Sequence, residues 1–216
     1  MSVESTGIPA QDTDVRIEGA PGATLNITGV SKAASAVCLC TSPPVVGTDV
    51  EFGAIAGMPE IRGRIGTVTA VADGVSFTVN IDTTEFATAG TTGTASVKTW
   101  LSIANVKTFN GFDGQNSEID KSHLRSGAKE FAPGLEDFGN ISMTVDNDDD
   151  DPGQAACRQS KSKRQIKAFQ IVLPNNNKRS FKGYVRQFTE NAAVDGMYGG
   201  NLQVRITGVV TYFNAV

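Results

Sequence analysis

The sequence predicts a mainly β protein with one α-helix, and three observations support this fold class. Short runs rich in β-branched or alternating apolar residues recur from Val15 to the C-terminal end, separated by Gly, Pro, Asp and Asn. One segment alone, near residue 152, carries the signals of a helix start. The chain has 216 residues, 39% of them hydrophobic and 19% charged, which suits one or two globular domains with real cores.

The first part of the chain, residues 15–97, predicts a small all-β region. The runs are VRIEG, ATLNITGV, AVCLC, DVEFGAIAG, GRIGTVTAV, GVSFTVNI and TASVKTW. Asp73 and Gly74 predict a tight hairpin between TVTAV and VSFTV, because glycine adopts a positive φ without strain. Cys38 and Cys40 lie two positions apart on one run, so both thiols face the same side of the strand, as small core residues do.

The second part of the chain predicts longer strands that each have one polar face. The strand candidates span 101–112, 140–146, 167–174, 181–190 and 201–213. Apolar residues occupy every second position of NISMTVD and NLQVRIT, with Ser, Thr, Asn, Gln, Arg and Asp between them. One face of each strand is therefore expected to pack on a core and the other to meet water.

An acidic run followed by a basic one, DNDDDDPGQAACRQSKSKRQIK, predicts a helix over about residues 152–164. Asp151 supplies an acceptor at the helix cap, and Pro152 fits the first turn, where the missing N–H costs nothing. The EF-hand spacing fails, because its glycine position holds Asp151 and its bidentate glutamate position holds Cys157. We therefore predict a capped helix and no metal or cofactor site.

The segment SEIDKSHLRSGAKEFAPGLEDFG, residues 117–139, has no sustained alternation, so we predict a long loop here and not a strand. A loop of this length is usually either functional or disordered. Its apolar side chains argue against disorder, because a solvated linker has no use for them. The five anchors are Ile119, Leu124, Phe131, Leu135 and Phe138.

Composition excludes several classes of protein. One histidine and three cysteines at unrelated spacings provide no nucleophilic catalytic set, so we predict that the chain is not an enzyme. No apolar run approaches the length of about 20 residues that a membrane helix needs, and the N-terminus does not resemble a secretory signal. Residues 1–97 carry a net charge of −6 and residues 98–216 one of +2, without the dense basic patch of a nucleic-acid-binding protein.

The second part of the chain resembles a known family. The matching segments, in order, are IANVKTFNGFDGQNSEID, HLRSGAKEFAPGLEDFGNISM, DPGQAA, FQIVLPN, FKGYVRQF and LQVRITGVV. On these residues the chain resembles the tail tube (major tail) proteins of long-tailed bacteriophages with non-contractile tails. The likeness covers residues 98–216 and the strand at 15–19. GMPEIRGR, within 25–97, resembles a small β module found near the start of other phage virion proteins.

The resemblance implies a β-sandwich or barrel-like tube domain with one flanking helix and a small inserted all-β domain. It implies an N-terminal arm and first tube strand at 1–24, the inserted domain at 25–97, and the tail-tube domain at 98–216. Six copies would close into a ring, and stacked rings would form a hollow tail that conducts double-stranded DNA. In the family the long loop reaches neighbouring subunits, which implies that role for Glu118, Ile119, Asp120, Leu124, Lys129, Phe131, Leu135, Asp137 and Phe138.

The resemblance also implies partners and a location. The chain would bind copies of itself and the tip, terminator and tape measure proteins of the tail. It would be made in the host cytoplasm, enter the virion and not insert into a membrane. DNA must pass without sticking, so the inner wall should lack ordered phosphate contacts. Thr144 and Asp146, on a polar strand face, are the candidates for that wall.

Two other functions compete with this interpretation. A two-module adhesin or carbohydrate-binding β-sandwich accounts for the strands, but it leaves the long loop unexplained and expects exposed aromatic platforms. The chain has only one Trp and three Tyr. A hydrolase with paired carboxylates is the enzyme alternative, and Glu118 with Asp120 or Glu136 with Asp137 would be its pairs, although no pocket can be argued around them.

Overall fold

A computed structural model describes residues 7–215 of the chain. The first six residues of the predicted arm at 1–24 and the last residue of the predicted tube domain lie outside this range. Within the described residues the chain forms fourteen β-strands, one α-helix and a short 3₁₀ helix at Pro59–Ile61. The predicted fold class, mainly β with one helix, is confirmed.

The elements follow one another in this order. The strands of the first half are β1 (Asp14–Ile27), β2 (Gly29–Val30), β3 (Ala36–Leu39), β4 (Asp49–Ile55), β5 (Ile65–Ala72), β6 (Ser76–Val79) and β7 (Gly93–Ser102). The second half contains β8 (Val106–Gly111), β9 (Asn116–Asp120), β10 (Phe131–Glu136), β11 (Asn140–Asp146), α1 (Pro152–Ser162), β12 (Lys167–Val172), β13 (Lys178–Phe188) and β14 (Gly199–Phe213).

The chain divides into two compact units. The first comprises the described part of Met1–Ile103, Ala168–Phe181 and the described part of Val210–Val216. The second comprises Ala104–Lys167 and Lys182–Val209. Strands β13 and β14 therefore each contribute residues to both units.

In the first unit the strands are hydrogen-bonded in the order β2-β3-β6-β5-β4-β7-β1-β12. Strands β5 and β6 form the hairpin that the Asp73-Gly74 pair predicts, with Gly74 at φ +68° and the Val75 N–H bonded to the Ala72 carbonyl. Register shifts interrupt the pairing of β1 with β7 between Glu18 and Thr24. A bulge or irregularity of this kind bends a strand and increases its twist.

The first unit contains a hydrophobic core cluster built from residues between Leu25 and Val97. Phe52, Phe77 and Met58 are its largest side chains, and each is fully buried. Cys38 and Cys40 belong to this cluster as free thiols, and burial raises the pKa of Cys38 to about 12. Every member of the cluster comes from the segment predicted as the inserted domain.

A buried carboxylate, that of Asp49, links its own strand β4 to four other strands of the first unit. Its side chain is only 4% exposed. It accepts hydrogen bonds from the Thr67 hydroxyl (2.5 Å), the Trp100 indole N–H (2.9 Å) and the Gln170 amide (2.8 Å), and it pairs with the Lys178 ammonium at 3.1 Å. Burying a charge is tolerated because these partners replace its lost hydration.

In the second unit the sheet order is β13-β14-β11-β8, and β9 and β10 form a separate two-stranded sheet. Strand β11 shows the predicted alternation, because Ile141, Met143 and Val145 are buried while Ser142 and Thr144 are exposed. The predicted strand 101–112 is broken, since β7 ends at Ser102 and β8 starts at Val106. Asn105 adopts φ +60° in this break, a conformation that a continuous strand does not contain.

The prediction that residues 117–139 form a loop without strands is wrong. Strands β9 and β10 pair antiparallel, with Asp120 opposite Phe131 and Glu118 opposite Pro133. The sequence of these strands does not alternate between apolar and polar residues, because every residue of β9 is exposed and neither face of this sheet is buried within the chain. Period-2 patterning reports burial on one face, and a strand with two exposed faces does not produce it.

Candidate functional site

The two paired strands and the turn that joins them form what we call the hairpin arm, residues 116–136. The turn is closed by local hydrogen bonds, among them the Lys121 N–H to the Glu130 carbonyl at 2.8 Å and the Glu130 N–H to the Ser122 hydroxyl at 2.9 Å. The Asp120 carboxylate accepts the Ser122 N–H and hydroxyl, and these bonds lower the pKa of Asp120. The arm therefore has its own internal order.

The predicted anchors on the arm are largely uncovered. Leu124 and Leu135 are 108% and 87% exposed, and Ile119 and Phe131 are each 54% exposed. Glu118 and Lys129 are exposed as well, while Phe138, just beyond the arm, is half-buried. Single exposed apolar residues are ordinary on a protein surface, whereas four large ones on one arm form an exposed apolar surface.

One face of the arm combines Phe131 with three carboxylates. Side chains two apart on a strand share a face, and so do residues directly opposite each other in a pair. Glu118 and Asp120 therefore share the face of Phe131, which lies opposite Asp120. Glu136 joins them, because it lies opposite Asn116, two positions before Glu118. We call this the acidic face of the arm.

The base of the arm is fixed by two aspartates. Asp137 accepts the Gly139 N–H at 2.8 Å and pairs with the Arg205 guanidinium at 2.5 Å, and these contacts lower its pKa. Asp113 accepts the Asn140 N–H at 2.8 Å. Gly139 lies between these contacts at φ +72°, where a Cβ would clash with the Asp113 side chain.

The exposed face of β8, β11 and β14 carries mainly uncharged polar groups. Thr144 lies there, opposite Thr108 on β8 and Asn201 on β14. The two cations of this face are each paired with an acid: Lys107 with Asp146 at 2.7 Å and Arg205 with Asp137. We call this surface the polar face. The structure therefore brings both predicted wall residues, Thr144 and Asp146, onto one face.

Helix α1 begins as a capped helix. Asp151 is the N-cap residue and its Oδ2 accepts the Gln154 N–H at 2.6 Å, while Pro152 occupies the first turn. The buried Gln154 amide then donates to the carbonyls of Ala104 (3.0 Å) and Asp146 (2.9 Å). The acidic run thus positions the helix on its own unit, and Asp149 pairs with Arg158 at 3.0 Å.

A groove between the C-terminal end of α1 and β13 was missed by sequence reasoning. Its volume is about 480 Å³, and its walls include Lys161, Arg164, Ile166, Tyr184 and Arg186. Ile166 and Tyr184 are 59% and 42% exposed. The available signal was an isoleucine inside the basic run KSKRQIK, which has no partner at helical spacing and is therefore not part of an apolar helix face.

The described part of the chain was searched for metal-ligand clusters and for membrane-spanning helices. Residues 7–215 contain no group of three or more His, Cys, Asp or Glu side chains that could hold a metal ion. No helix among these residues is long and apolar enough to span a membrane.

Comparison with known proteins gives a family match and likenesses to solved structures. A family model described as phage tail tube protein (TTP) matches residues 56–215. A chain from the virion of a native gene transfer agent particle has 15% identity and a TM-score of 0.45, with 53% of this chain and 88% of that one covered.

A chain from the tail of an empty gene transfer agent particle, with C6 symmetry, has 16% identity and a TM-score of 0.44, with 53% and 86% covered. A search of curated proteins gave no match.

Proposed function

The chain belongs to the phage tail tube protein family, and from this premise we propose that its copies form hexameric rings that stack into a hollow tube for double-stranded DNA. Members of the family are structural components of the phage tail, so the chain is a structural virion protein and not an enzyme. The ring of six copies, the stacking of rings and the non-contractile tail are inferred from the family resemblance. The observation that carries assembly is the uncovered hairpin arm.

The arm is the proposed contact between subunits and between adjacent rings. Ile119, Leu124, Phe131 and Leu135 expose their side chains in the single chain, and assembly would bury them. Fully burying one such side chain is worth about 1.5–3 kcal/mol. Both backbone edges of the two-stranded arm also offer hydrogen-bonding groups that a neighbouring chain can pair with.

The polar face is the proposed inner wall of the tube. DNA binds through lysine and arginine contacts to phosphate, so a wall for transit should not present unpaired cations. Lys107 is neutralised by Asp146 and Arg205 by Asp137, and the surrounding groups, including Thr144, are uncharged. These pairings support a surface that duplex DNA passes without being held.

Residues 25–97 are the proposed inserted domain, which projects from the tube formed by 98–216 and the strand within 1–24. Its self-contained hydrophobic core, drawn from Leu25 to Val97, supports this division. The excess of acidic residues in the first 97 positions suits a solvated outer decoration. The proposed partners beyond other copies are the tip, terminator and tape measure proteins, after synthesis in the host cytoplasm.

Electron microscopy and sedimentation of the purified full chain at high concentration test this function. Rings or hollow tubes are expected from the native chain. Leu135→Asp should leave the circular dichroism spectrum unchanged and abolish assembly, because the carboxylate would have to be desolvated in the contact. Val45→Asp is the matched control, since Val45 is 76% exposed but lies in the proposed inserted domain.

Two results would contradict the proposal. If tubes of Leu135→Asp form as readily as native ones, the arm is not the assembly contact. If the native chain gives neither rings nor tubes and also fails to enter growing tails, the chain is not a tube subunit.

A further inference from the structure

The groove beside α1 combines free positive charge with apolar surface. Among the described residues, the side chains of Arg164 and Arg186 make no ion pair, whereas Lys161 donates to the Phe188 carbonyl at 3.4 Å. The lining also includes the exposed side chains of Ile166 and Tyr184. Such a surface suits an apolar side chain next to carboxylates, because a guanidinium binds carboxylate oxygens in a fork and packs on aromatic rings.

The acidic face of the arm has the complementary arrangement. Phe131 lies at the turn end of this face, directly opposite Asp120, and Glu118 and Glu136 follow along the strands. The three basic residues of the arm, Lys121, Arg125 and Lys129, all lie in the turn beyond the paired strands. The charged residues of the paired strands are therefore all acidic, whereas the turn carries a net positive charge.

From this complementarity we propose that the groove of one copy receives the acidic face of the hairpin arm of a second copy. No arm residue lines the groove within the described chain, so the contact requires another copy. The inference rests on the proposed function and deepens it by naming the receiving surface. Glu118 pairs with Arg186 and Asp120 with Arg164, and Phe131, beside Asp120, packs on Ile166 and Tyr184.

The other acidic segment of the chain does not fit the groove as well. The run from Asp146 to Asp151 contains no apolar residue. Three of its five carboxylates are also engaged, Asp146 with Lys107, Asp149 with Arg158, and Asp151 with the first turn of α1. The acidic face of the arm is the surface that offers carboxylates and an aromatic ring together.

Cross-linking between variants that each carry one added, exposed cysteine tests the contact directly. Equal amounts of Glu118→Cys and Arg186→Cys full chains are mixed at high concentration and treated with a short bis-maleimide, and linked peptides are identified by mass spectrometry. The native cysteines are buried and should stay unreacted. Two matched mixtures serve as controls. In the first, Ser117→Cys, on the opposite face of the arm, replaces Glu118→Cys. In the second, Lys163→Cys, beside the groove but not lining it, replaces Arg186→Cys.

A 118–186 link in clear excess over both controls is the expected result, and equal yields in the three mixtures would overturn the inference.

Charge reversal gives a second measurement. Arg186→Glu should raise the concentration needed for assembly about five-fold, the effect of roughly 1 kcal/mol per contact, and Lys163→Glu should not. Adding Glu118→Arg to Arg186→Glu should restore assembly.

The outcomes separate this inference from the proposed function. Native tubes with no 118–186 link and no effect of Arg186→Glu would refute the groove contact and leave the tube function standing. If Arg186→Glu changed only retention of duplex DNA by the tubes, the groove would be a phosphate contact, and the inference would likewise be wrong. A native chain that neither assembles nor enters tails would refute the function itself, whatever the cross-links.

Discussion

Replacing Asp49 by alanine is expected to destabilise the first unit strongly. The substitution removes a carboxylate that is 4% exposed and leaves the Lys178 ammonium, itself 14% exposed, without its acceptor. The Trp100 indole loses its acceptor as well, and the Gln170 amide keeps only the Ser180 hydroxyl. Breaking a buried charge pair by removing one member costs about 3–5 kcal/mol, because the remaining charge stays buried.

The magnitude can be measured by denaturant or thermal unfolding. For a chain of this size about 3–5 kcal/mol corresponds to a fall in Tm of roughly 6–20 °C. The control is Asp14→Ala, which breaks the half-exposed pair with Arg16 and should cost less than about 1 kcal/mol.

A second variant identifies the cause of the loss. Asp49→Ala combined with Lys178→Met should recover part of the stability, because no unpaired charge then remains buried. A loss below about 1 kcal/mol for Asp49→Ala, or a double variant less stable than the single one, would refute the role of this pair.

Two further substitutions and one deletion test the polar face, the arm base and the inserted domain. Asp146→Asn should free the Lys107 ammonium and increase salt-sensitive retention of duplex DNA by assembled tubes, measured by gel shift. Gly139→Ala should loosen the arm, because of its φ of +72° and the clash with Asp113, and speed limited proteolysis there. Deleting residues 25–97 with Lys178→Met should spare tube formation seen by electron microscopy, and collapse of the remaining chain would contradict the proposed domain boundary.

The arm base should also respond to acid. Its Gly139 N–H and Arg205 contacts hold the pKa of Asp137 below the ordinary value of 3.8. The folded protein therefore binds fewer protons than the unfolded chain near pH 3.8, so this contribution is complete at neutral pH and disappears as the pH falls through the lowered pKa. Proteolysis at the arm base should be independent of pH between 5 and 8 and increase only below about pH 4. Asp137→Asn should lack this transition.

Sequence patterns predicted the parts of the fold in which local chemistry and burial agree. The alternation of β11 predicts its buried and exposed residues, because one face packs on a core and the other meets water. The hairpin at Asp73-Gly74 follows from a residue that accepts a positive φ. The start of α1 at Pro152 follows from hydrogen bonds within the first turn.

The paired strands of the arm could not be predicted in this way. Their order comes from cross-strand hydrogen bonds between residues more than ten positions apart, and neither face is buried in the single chain. The anchors Phe131 and Leu135 were found from composition alone, but their positions on the arm depend on its register. A shift of one residue would move Phe131 away from Glu118 and Asp120 and remove the acidic face.

The sequence by itself determined the β class, the capped helix, the alternating core face of β11 and the tail tube family of this protein, because each depends on residues close together in the chain or on a series of segments in order. Only the tertiary structure decided which charges meet. It pairs Lys107 with Asp146, Arg205 with Asp137 and Lys178 with Asp49, and it leaves Arg164 and Arg186 beside an open groove. Charge pairing depends on distance in space, and long-range sheet register sets that distance without leaving a periodic signal in the sequence.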